Sequence, residues 1–223
     1  MESNTTYYAR ARHKGLRTGV GGWSVPLVFT TENSSGFPTL MSSSAILGIE
    51  NYPSNSNLYF GTALATNNDG SLLAVGSPGA DISSSTENFG RVSIFSLGVS
   101  VKNTIEWQIK QTIDTPIYSA NENFGFSLAM SGDGQFLFIG SKKVSDLSKG
   151  QVWAHKLNQA TGMFDLVTLI HASDAVSSDI FGGSLATNSD GSILLVGAYQ
   201  DDSSPYTNDG SVYYFTRSGA NWT

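Results

Sequence analysis

The sequence contains no cysteine, few charged residues and fewer basic ones. With no Cys among 223 residues, disulfide bonds and cysteine-ligated zinc are excluded. Charged residues make up 13% of the chain, the formal net charge is −6, and Lys and Arg together number 12. Because phosphate backbones bind clustered basic side chains, this balance argues against a nucleic-acid partner.

Long apolar runs are also missing. No stretch of 18 apolar residues occurs, so the sequence predicts no membrane-spanning helix. Turn-forming residues are abundant instead, with 24 glycines in the chain. Low charge together with many glycines is typical of an all-β protein with many turns, and it excludes a coiled coil.

One pattern occurs three times and organises the rest of the chain. The copies are Leu64–Gly76, Leu128–Gly140 and Leu185–Gly197, and they follow the pairs Phe60-Gly61, Phe124-Gly125 and Phe181-Gly182. The Phe residues are 64 and 57 residues apart. A repeat of this length indicates a propeller or another array of similar units.

Each repeat carries the marks of four short strands in the same order. A Phe-Gly strand, an Asp-Gly turn and an apolar strand come first, and a polar loop then leads to a Gly-x-Val strand and a fourth strand with an aromatic residue. The Gly-x-Val strands begin at Gly90, Gly150 and Gly210. Asp-Gly suits a tight hairpin because the glycine adopts a positive φ. The sequence therefore predicts an all-β fold of three propeller blades, each of four antiparallel strands.

Residues 58–223 resemble FG-GAP repeats, which are best known from the integrin α-subunit propeller. The resemblance is carried by the Phe-Gly, Asp-Gly, Val75-Gly-Ser-Pro78 and Gly-x-Val elements in that order. The family often binds calcium at the Asp-Gly turn, and calcium needs six or more oxygen ligands. The sequence keeps one carboxylate per turn, at Asp69, Asp133 and Asp190, and has alanine four residues earlier. We therefore expect a plain hairpin turn and neither a metal site nor a cofactor.

The first 57 residues lie outside the repeats. Residues 1–32 resemble the last two strands of a fibronectin type III-like module, as found in phage tail and fibre proteins. The alternative is a two-stranded N-terminal arm without that ancestry, since a complete module needs about seven strands. Residues 33–57 are predicted to be a linker with a short strand at 45–50.

Three blades do not close a ring, because propellers typically have four to eight. Two accounts remain open. In the first, which we favour, the chain is a piece of a longer protein that has further blades. In the second, blades of two or more chains join, and residues 45–50 complete the last blade of a neighbouring copy.

The long loops between the second and third strands, residues 77–88, 141–149 and 198–209, are the predicted recognition surfaces. The third loop carries the candidate ligand contacts Tyr199, Asp201, Asp202, Tyr206 and Asp209. Its carboxylates and tyrosines could hold a sugar or a cation; the alternative is a solvated loop.

No catalytic residue is predicted. His13, His155 and His171 occupy unrelated positions, and no Ser-His-Asp or metal-ligand spacing links them. His155 stands where the other repeats have Phe95 and Phe215, so we expect it to pack in the core.

The resemblances imply a non-enzymatic structural or adhesion module of a phage virion or a bacterial surface protein. Its expected location is the virion, or the extracellular space or cell surface. Expected partners are other copies or other structural proteins of an assembly, and a surface glycan; nucleic acid and a membrane span are not expected. The alternatives are a carbohydrate-binding, lectin-like propeller or a part of a larger glycan-active enzyme.

Overall fold

The structure is a computed structural model. It describes strands within residues 5–31 and residues 58–223 other than 82–86, 100–104, 118–119, 143–148 and 203–205. The chain divides into two compact units, Met1–Ser44 and Ala45–Thr223. The predicted linker and the short strand at 45–50 lie outside the described residues.

The first unit contains two antiparallel strand pairs. Strand β1 (Thr5–Ala9) pairs with β4 (Leu27–Thr31), and β2 (Arg12–Lys14) pairs with β3 (Val20–Trp23). Strand β3 begins at Val20, within the glycine-rich stretch of residues 15–22. The assignment of these strands to a fibronectin type III-like module stays a prediction.

The second unit contains three four-stranded antiparallel sheets, each with its strands in sequence order. Blade one consists of β5 (Leu64–Thr66), β6 (Leu72–Ser77), β7 (Arg91–Val99) and β8 (Ile105–Asp114). Blade two consists of β9 (Phe124–Met130), β10 (Phe136–Ser141), β11 (Gln151–Leu157) and β12 (Phe164–Ile170). Blade three consists of β13 (Phe181–Thr187), β14 (Ile193–Ala198), β15 (Ser211–Ser218) and β16 (Asn221–Trp222). The predicted fold class is confirmed.

The Asp-Gly turns join the first two strands of each blade. Their glycines have φ values of 68°, 70° and 67°, which a residue with a Cβ adopts at a cost. The aspartate closes the turn: in blade three, Asp190 Oδ1 accepts a hydrogen bond from the Ser192 backbone N–H at 3.0 Å. The Ser192 hydroxyl donates to the same carboxylate, and it is the main cause of the lowered pKa of Asp190.

Successive blades pack face to face. We call the side of a blade that is turned to the next blade along the chain its front face, and the opposite side its back face. The front of blade one packs on the back of blade two around Ala74, Val92, Ile94, Leu137 and Trp153. The front of blade two packs on the back of blade three around Phe138, Val152, Ala154, Leu194 and Val196.

The backbones of neighbouring blades also meet directly. Gly90 of blade one forms a parallel bridge with Phe124 of blade two, and Gly150 of blade two forms the same bridge with Phe181 of blade three. A Cβ on either glycine would overlap the backbone of that phenylalanine. The Gly-x-Val motif of one blade thus provides the space for the Phe-Gly motif of the next.

A second glycine in blades one and two repeats this arrangement. A Cβ on Gly76 would overlap the carbonyl oxygen of Gly125, and a Cβ on Gly140 would overlap the carbonyl oxygen of Gly182. These positions lie at the end of β6 and β10, in the apolar strands of blades one and two. The motifs that mark the repeat in sequence are therefore the contact points between blades.

The apolar second strand was predicted to be buried on both faces. Strand β10 meets that prediction, with all six residues buried, and β6 nearly does. Strand β14 does not, because Leu195 on its front face is 39% exposed. The prediction assumed a neighbour on each side of every blade, and among the described residues no following blade covers blade three.

His155 packs in the core of blade two, as expected from its repeat position. Its side chain is 3% exposed. Burial lowers its pKa to about 4, against weaker opposing effects of a hydrogen bond involving the Trp153 backbone and of the Asp165 charge. The imidazole is therefore neutral at physiological pH.

Candidate functional site

An acidic group surrounds the Tyr213 hydroxyl on blade three. The hydroxyl oxygen lies 2.9 Å from Asp174 Oδ1 and 3.0 Å from Asp201 Oδ2. The Tyr213 ring packs edge-on against Phe181, with ring centroids 5.2 Å apart. Strand β15 thus anchors the ring in the core between blades two and three, and the hydroxyl reaches two loops at the surface.

The Tyr213 hydroxyl has one hydrogen and two carboxylate acceptors. It can satisfy one acceptor fully or divide one hydrogen bond between both. Burial raises the pKa of Tyr213, and the Asp174 and Asp201 carboxylates raise it further, so the phenol keeps its proton. The site therefore has more hydrogen-bond acceptors than donors, and it carries negative charge.

Asp179 adds a third acid to this region. Its side chain is buried, and Oδ2 accepts a hydrogen bond from the Val176 backbone N–H at 2.6 Å. Burial raises its pKa; the bond from Val176 lowers it, and the charges of Asp201, Asp202 and Asp174 raise it. Asp179 is therefore a carboxyl group in a negative field, which disfavours its ionised form.

A buried acid two residues before Phe-Gly occurs in blade two as well. Glu122 is fully buried, and its Oε1 accepts hydrogen bonds from the Ser141 hydroxyl and the Gln151 amide. Glu122 and Asp179 are equivalent by repeat position, two residues before Phe124 and Phe181. Blade one has Leu58 at that position, so the acid is a property of two blades.

The Asp202 carboxylate accepts a hydrogen bond within its own loop and stabilises the conformation of that loop. Its Oδ1 accepts the Asn208 backbone N–H at 2.6 Å. The equivalent Asp81 in blade one accepts the Asn88 backbone N–H at 2.7 Å. Both asparagines have a positive φ, 53° and 50°. The carboxylate therefore holds the strained end of the loop in place before the Gly-x-Val strand.

The structure places the five predicted contacts in different surroundings. Asp201 meets Tyr213, and Asp202 closes the loop. Tyr199 is half-exposed and lies over Gly183, while Tyr206 and Asp209 are exposed. Whether these residues contact a ligand stays a prediction.

Sequence reasoning missed Asp174, Asp179 and Tyr213. Asp174 and Asp179 lie in the connection between β12 and β13, which was not considered as a recognition loop. Tyr213 had been counted only as a strand residue. A signal for Asp179 exists in the sequence, since Glu122 precedes Phe-Gly by the same spacing. For Asp174 no such repeat signal exists.

The acids do not form a metal site in the described part of the chain, where no group of three or more His, Cys, Asp or Glu is arranged to hold a metal ion. The arrangement is suited to hydrogen bonding with a ligand that brings its own donors. Sugars, which present several hydroxyl groups, have that property.

Comparison with known proteins supports the repeat type. Residues 164–215 match the FG-GAP repeat. They span β12 to most of β15, the last strand of blade two and the greater part of blade three. The comparison with curated protein sequences finds no match.

Solved structures with a similar chain fold include the following three. A Bacteroides uniformis protein assigned as a 6-phosphogluconolactonase is 16% identical over 72% of this chain and 37% of its own, with a TM-score of 0.45. The periplasmic gluconolactonase PpgL of Pseudomonas aeruginosa is 17% identical over 70% and 39%, with a TM-score of 0.46. Saccharomyces cerevisiae Sqt1 is 12% identical over 70% and 31%, with a TM-score of 0.40. The chain thus spans about a third of the length of these structures.

Two predictions from the sequence are wrong on this comparison. The chain was expected not to be an enzyme and to be a non-enzymatic structural or adhesion module, yet two of the similar solved structures bear the names of lactonases. The repeat pattern records how blades fold and pack, and it holds no information about chemistry. The missing Ser-His-Asp spacing excluded one group of mechanisms only. At these identities and TM-scores, no substrate or reaction is transferred to this chain.

The predicted absence of a membrane span was also examined in the structure. Among the described residues, no helix is long and apolar enough to cross a bilayer. The virion or cell-surface location stays a prediction.

Proposed function

We propose that the Asp174–Asp201–Tyr213 group binds a carbohydrate, and that the chain is the sugar-binding propeller part of a glycan-active protein. The observation that carries the proposal is the surplus of acceptors: two carboxylates meet one phenol hydrogen. A ligand hydroxyl that donates to the second carboxylate supplies the missing hydrogen bond. Hydrogen bonds to a charged acceptor are about twice as strong as neutral ones.

Two exposed tyrosines lie near this group in sequence, and they favour a sugar over other ligands that donate hydrogen bonds. Tyr199 and Tyr206 lie in the same loop as Asp201, and both are exposed. An aromatic ring offers an apolar face to the C–H groups of a sugar, and its hydroxyl provides a polar contact at the edge. Sites of this kind combine aromatic surface with a few well-placed polar groups.

The test is binding to a glycan array, followed by calorimetry with the sugar that binds. Tyr213→Phe removes the hydroxyl but keeps the ring against Phe181, and Asp201→Asn removes one charged acceptor. We expect Asp201→Asn to bind at least about tenfold more weakly, the effect of losing one charge-assisted hydrogen bond to the ligand. Tyr213→Phe should also bind more weakly, because the phenol no longer holds the two carboxylates in position. Tyr214→Phe is the matched control, because Tyr214 is the next residue on β15 and points to the opposite face.

Two results would reject the proposal. One is an array on which no glycan binds. The other is a glycan whose affinity is the same for the wild-type chain and the Tyr213→Phe and Asp201→Asn variants. Release of product from a glycan that does bind would then show whether the chain also acts on it.

A further inference from the structure

The front face of blade three is apolar, and no described blade covers it. Val212 is 72% exposed, Tyr214 is 59% exposed and Leu195 is 39% exposed. The residues at the same repeat positions are fully buried in the other blades, namely Ala74, Val92 and Ile94 in blade one and Phe138, Val152 and Ala154 in blade two. Strand β15 shows the difference along its whole length, since its residues alternate between partly buried and exposed.

Blade three also keeps the glycine that a following blade requires. Gly76 and Gly140 each admit the carbonyl oxygen of the next blade's Phe-Gly motif. Gly197 stands at the same position, but a Cβ there would meet only the Ser184 hydroxyl of its own blade. Its φ is not positive, so its backbone conformation does not require glycine.

A hydroxyl donor is in place beside that glycine. In blade two, the Ser127 hydroxyl donates to the Gly182 carbonyl oxygen of blade three. Ser184 is the equivalent residue of blade three, and its side chain is exposed. The front of blade three therefore carries the apolar patch, the glycine and the donor of a blade-to-blade contact.

The back of blade one carries the complementary features without a described partner. Gly125 and Gly182 are packed against the preceding blade, whereas a Cβ on Gly61 would meet nothing within 4 Å. Leu64 is 62% exposed, while its blade-two equivalent Leu128 is 8% exposed. Phe60 and Gly61 thus form a Phe-Gly motif that no described blade receives.

We propose that the front face of blade three binds the back face of blade one of a second copy of this chain. The contact continues the interface that occurs twice within one copy, with Phe60-Gly61 placed against Gly197 and Gly210. A two-fold arrangement forms this junction twice and joins six blades in a ring, and closed propellers typically have four to eight. Both uncovered faces are then buried by the same kind of contact.

The test is the mass of the chain in solution, by light scattering and native mass spectrometry over a range of concentrations. We expect a dimer of about twice the chain mass of 23.7 kDa. Gly197→Ala places a methyl group where the second copy's carbonyl would lie, and Leu64→Asp puts a charge on the back face. Each single variant should be a monomer at concentrations where the wild-type chain is a dimer.

Mixing the two variants separates this model from face-to-face pairing. The Leu64→Asp copy still has an intact front, and the Gly197→Ala copy still has an intact back, so the mixture should recover one junction and form a mixed dimer. The control variant is Met163→Ala, because Met163 is 45% exposed in blade two, whose two faces are packed within one copy; it should dimerise like the wild-type chain. Melting curves at dilute concentration establish that each variant is folded.

Three results would overturn the proposal. The wild-type chain could be a monomer throughout, as expected if further blades of a longer chain cover these faces. Gly197→Ala could leave the dimer intact. Leu64→Asp could leave it intact while Gly197→Ala abolishes it, which would show that the front face pairs with itself. If Leu64→Asp does not fold, Gly197→Ala still decides, because its new methyl group meets only a serine side chain that can rotate.

Discussion

The front faces of blades two and three have the same strand order and the same motifs, but they differ completely in exposure. In blade two, Phe138 and Val152 are fully buried; in blade three, Leu195 and Val212 at the same positions are exposed. The difference lies in the neighbour, since the described part of the chain has a blade that follows blade two and none that follows blade three. The repeat pattern encodes an interface, and burial depends on whether that interface is occupied.

The largest difference between the two faces should be in stability, when the side chain at the same repeat position is truncated in each blade. Phe138→Ala leaves a cavity between blades two and three, and we expect it to lower the free energy of unfolding by about 3–5 kcal/mol. Leu195→Ala at the equivalent position should cost less than about 1 kcal/mol when measured at dilute concentration. Chemical denaturation of both variants tests this. Equal costs would contradict the described difference between the faces.

A smaller effect should appear at the position where blade two has His155 and the other blades have phenylalanine. The pKa of His155 is about 4 in the folded chain, because of burial, and 6.5 is the ordinary value. Above pH 6.5 neither state binds the proton. As the pH falls from 6.5 to about 4, the unfolded chain binds a proton that the folded chain does not, so about 3 kcal/mol of stability is lost.

His155→Phe should remove this acid-dependent loss while the general decline caused by other groups remains. The measurement is denaturant unfolding at a series of pH values between 4 and 7 for both chains. Parallel stability curves would show that His155 is not the group that couples folding to protons in this range.

The strands and turns could be predicted because short local motifs in each repeat indicate them. Phe-Gly, Asp-Gly and Gly-x-Val mark strand starts and turns within one blade, and the Asp-Gly pairs at Asp69, Asp133 and Asp190 were sufficient to predict tight hairpins. The structure adds the reason for the glycines that flank the strands. These glycines leave room for the backbone of the next blade. The sequence of a single repeat does not show this contact.

The candidate site could be predicted only in part. Asp201 was identified from its loop, but Tyr213 lies in a predicted strand, where it was not considered as a site residue. Asp174 lies 39 residues from Tyr213 in sequence, so their contact depends on how the β12–β13 connection meets β15. Asp202 was included for its charge, although its carboxylate holds the Asn208 backbone. A list of charged loop residues does not separate these roles.

The central proposal is that the front face of blade three binds a blade of a second copy. The accessibility of Tyr214, which lies on that face, tests this proposal most directly. Tyr214 is 59% exposed in a single copy, while its equivalents Ile94 and Ala154 are fully buried. Hydroxyl-radical footprinting should be carried out across the concentration range in which the mass doubles. We predict that modification of Tyr214 falls steeply with concentration while that of exposed Tyr206 stays constant. Equal modification of Tyr214 at all concentrations would contradict the account.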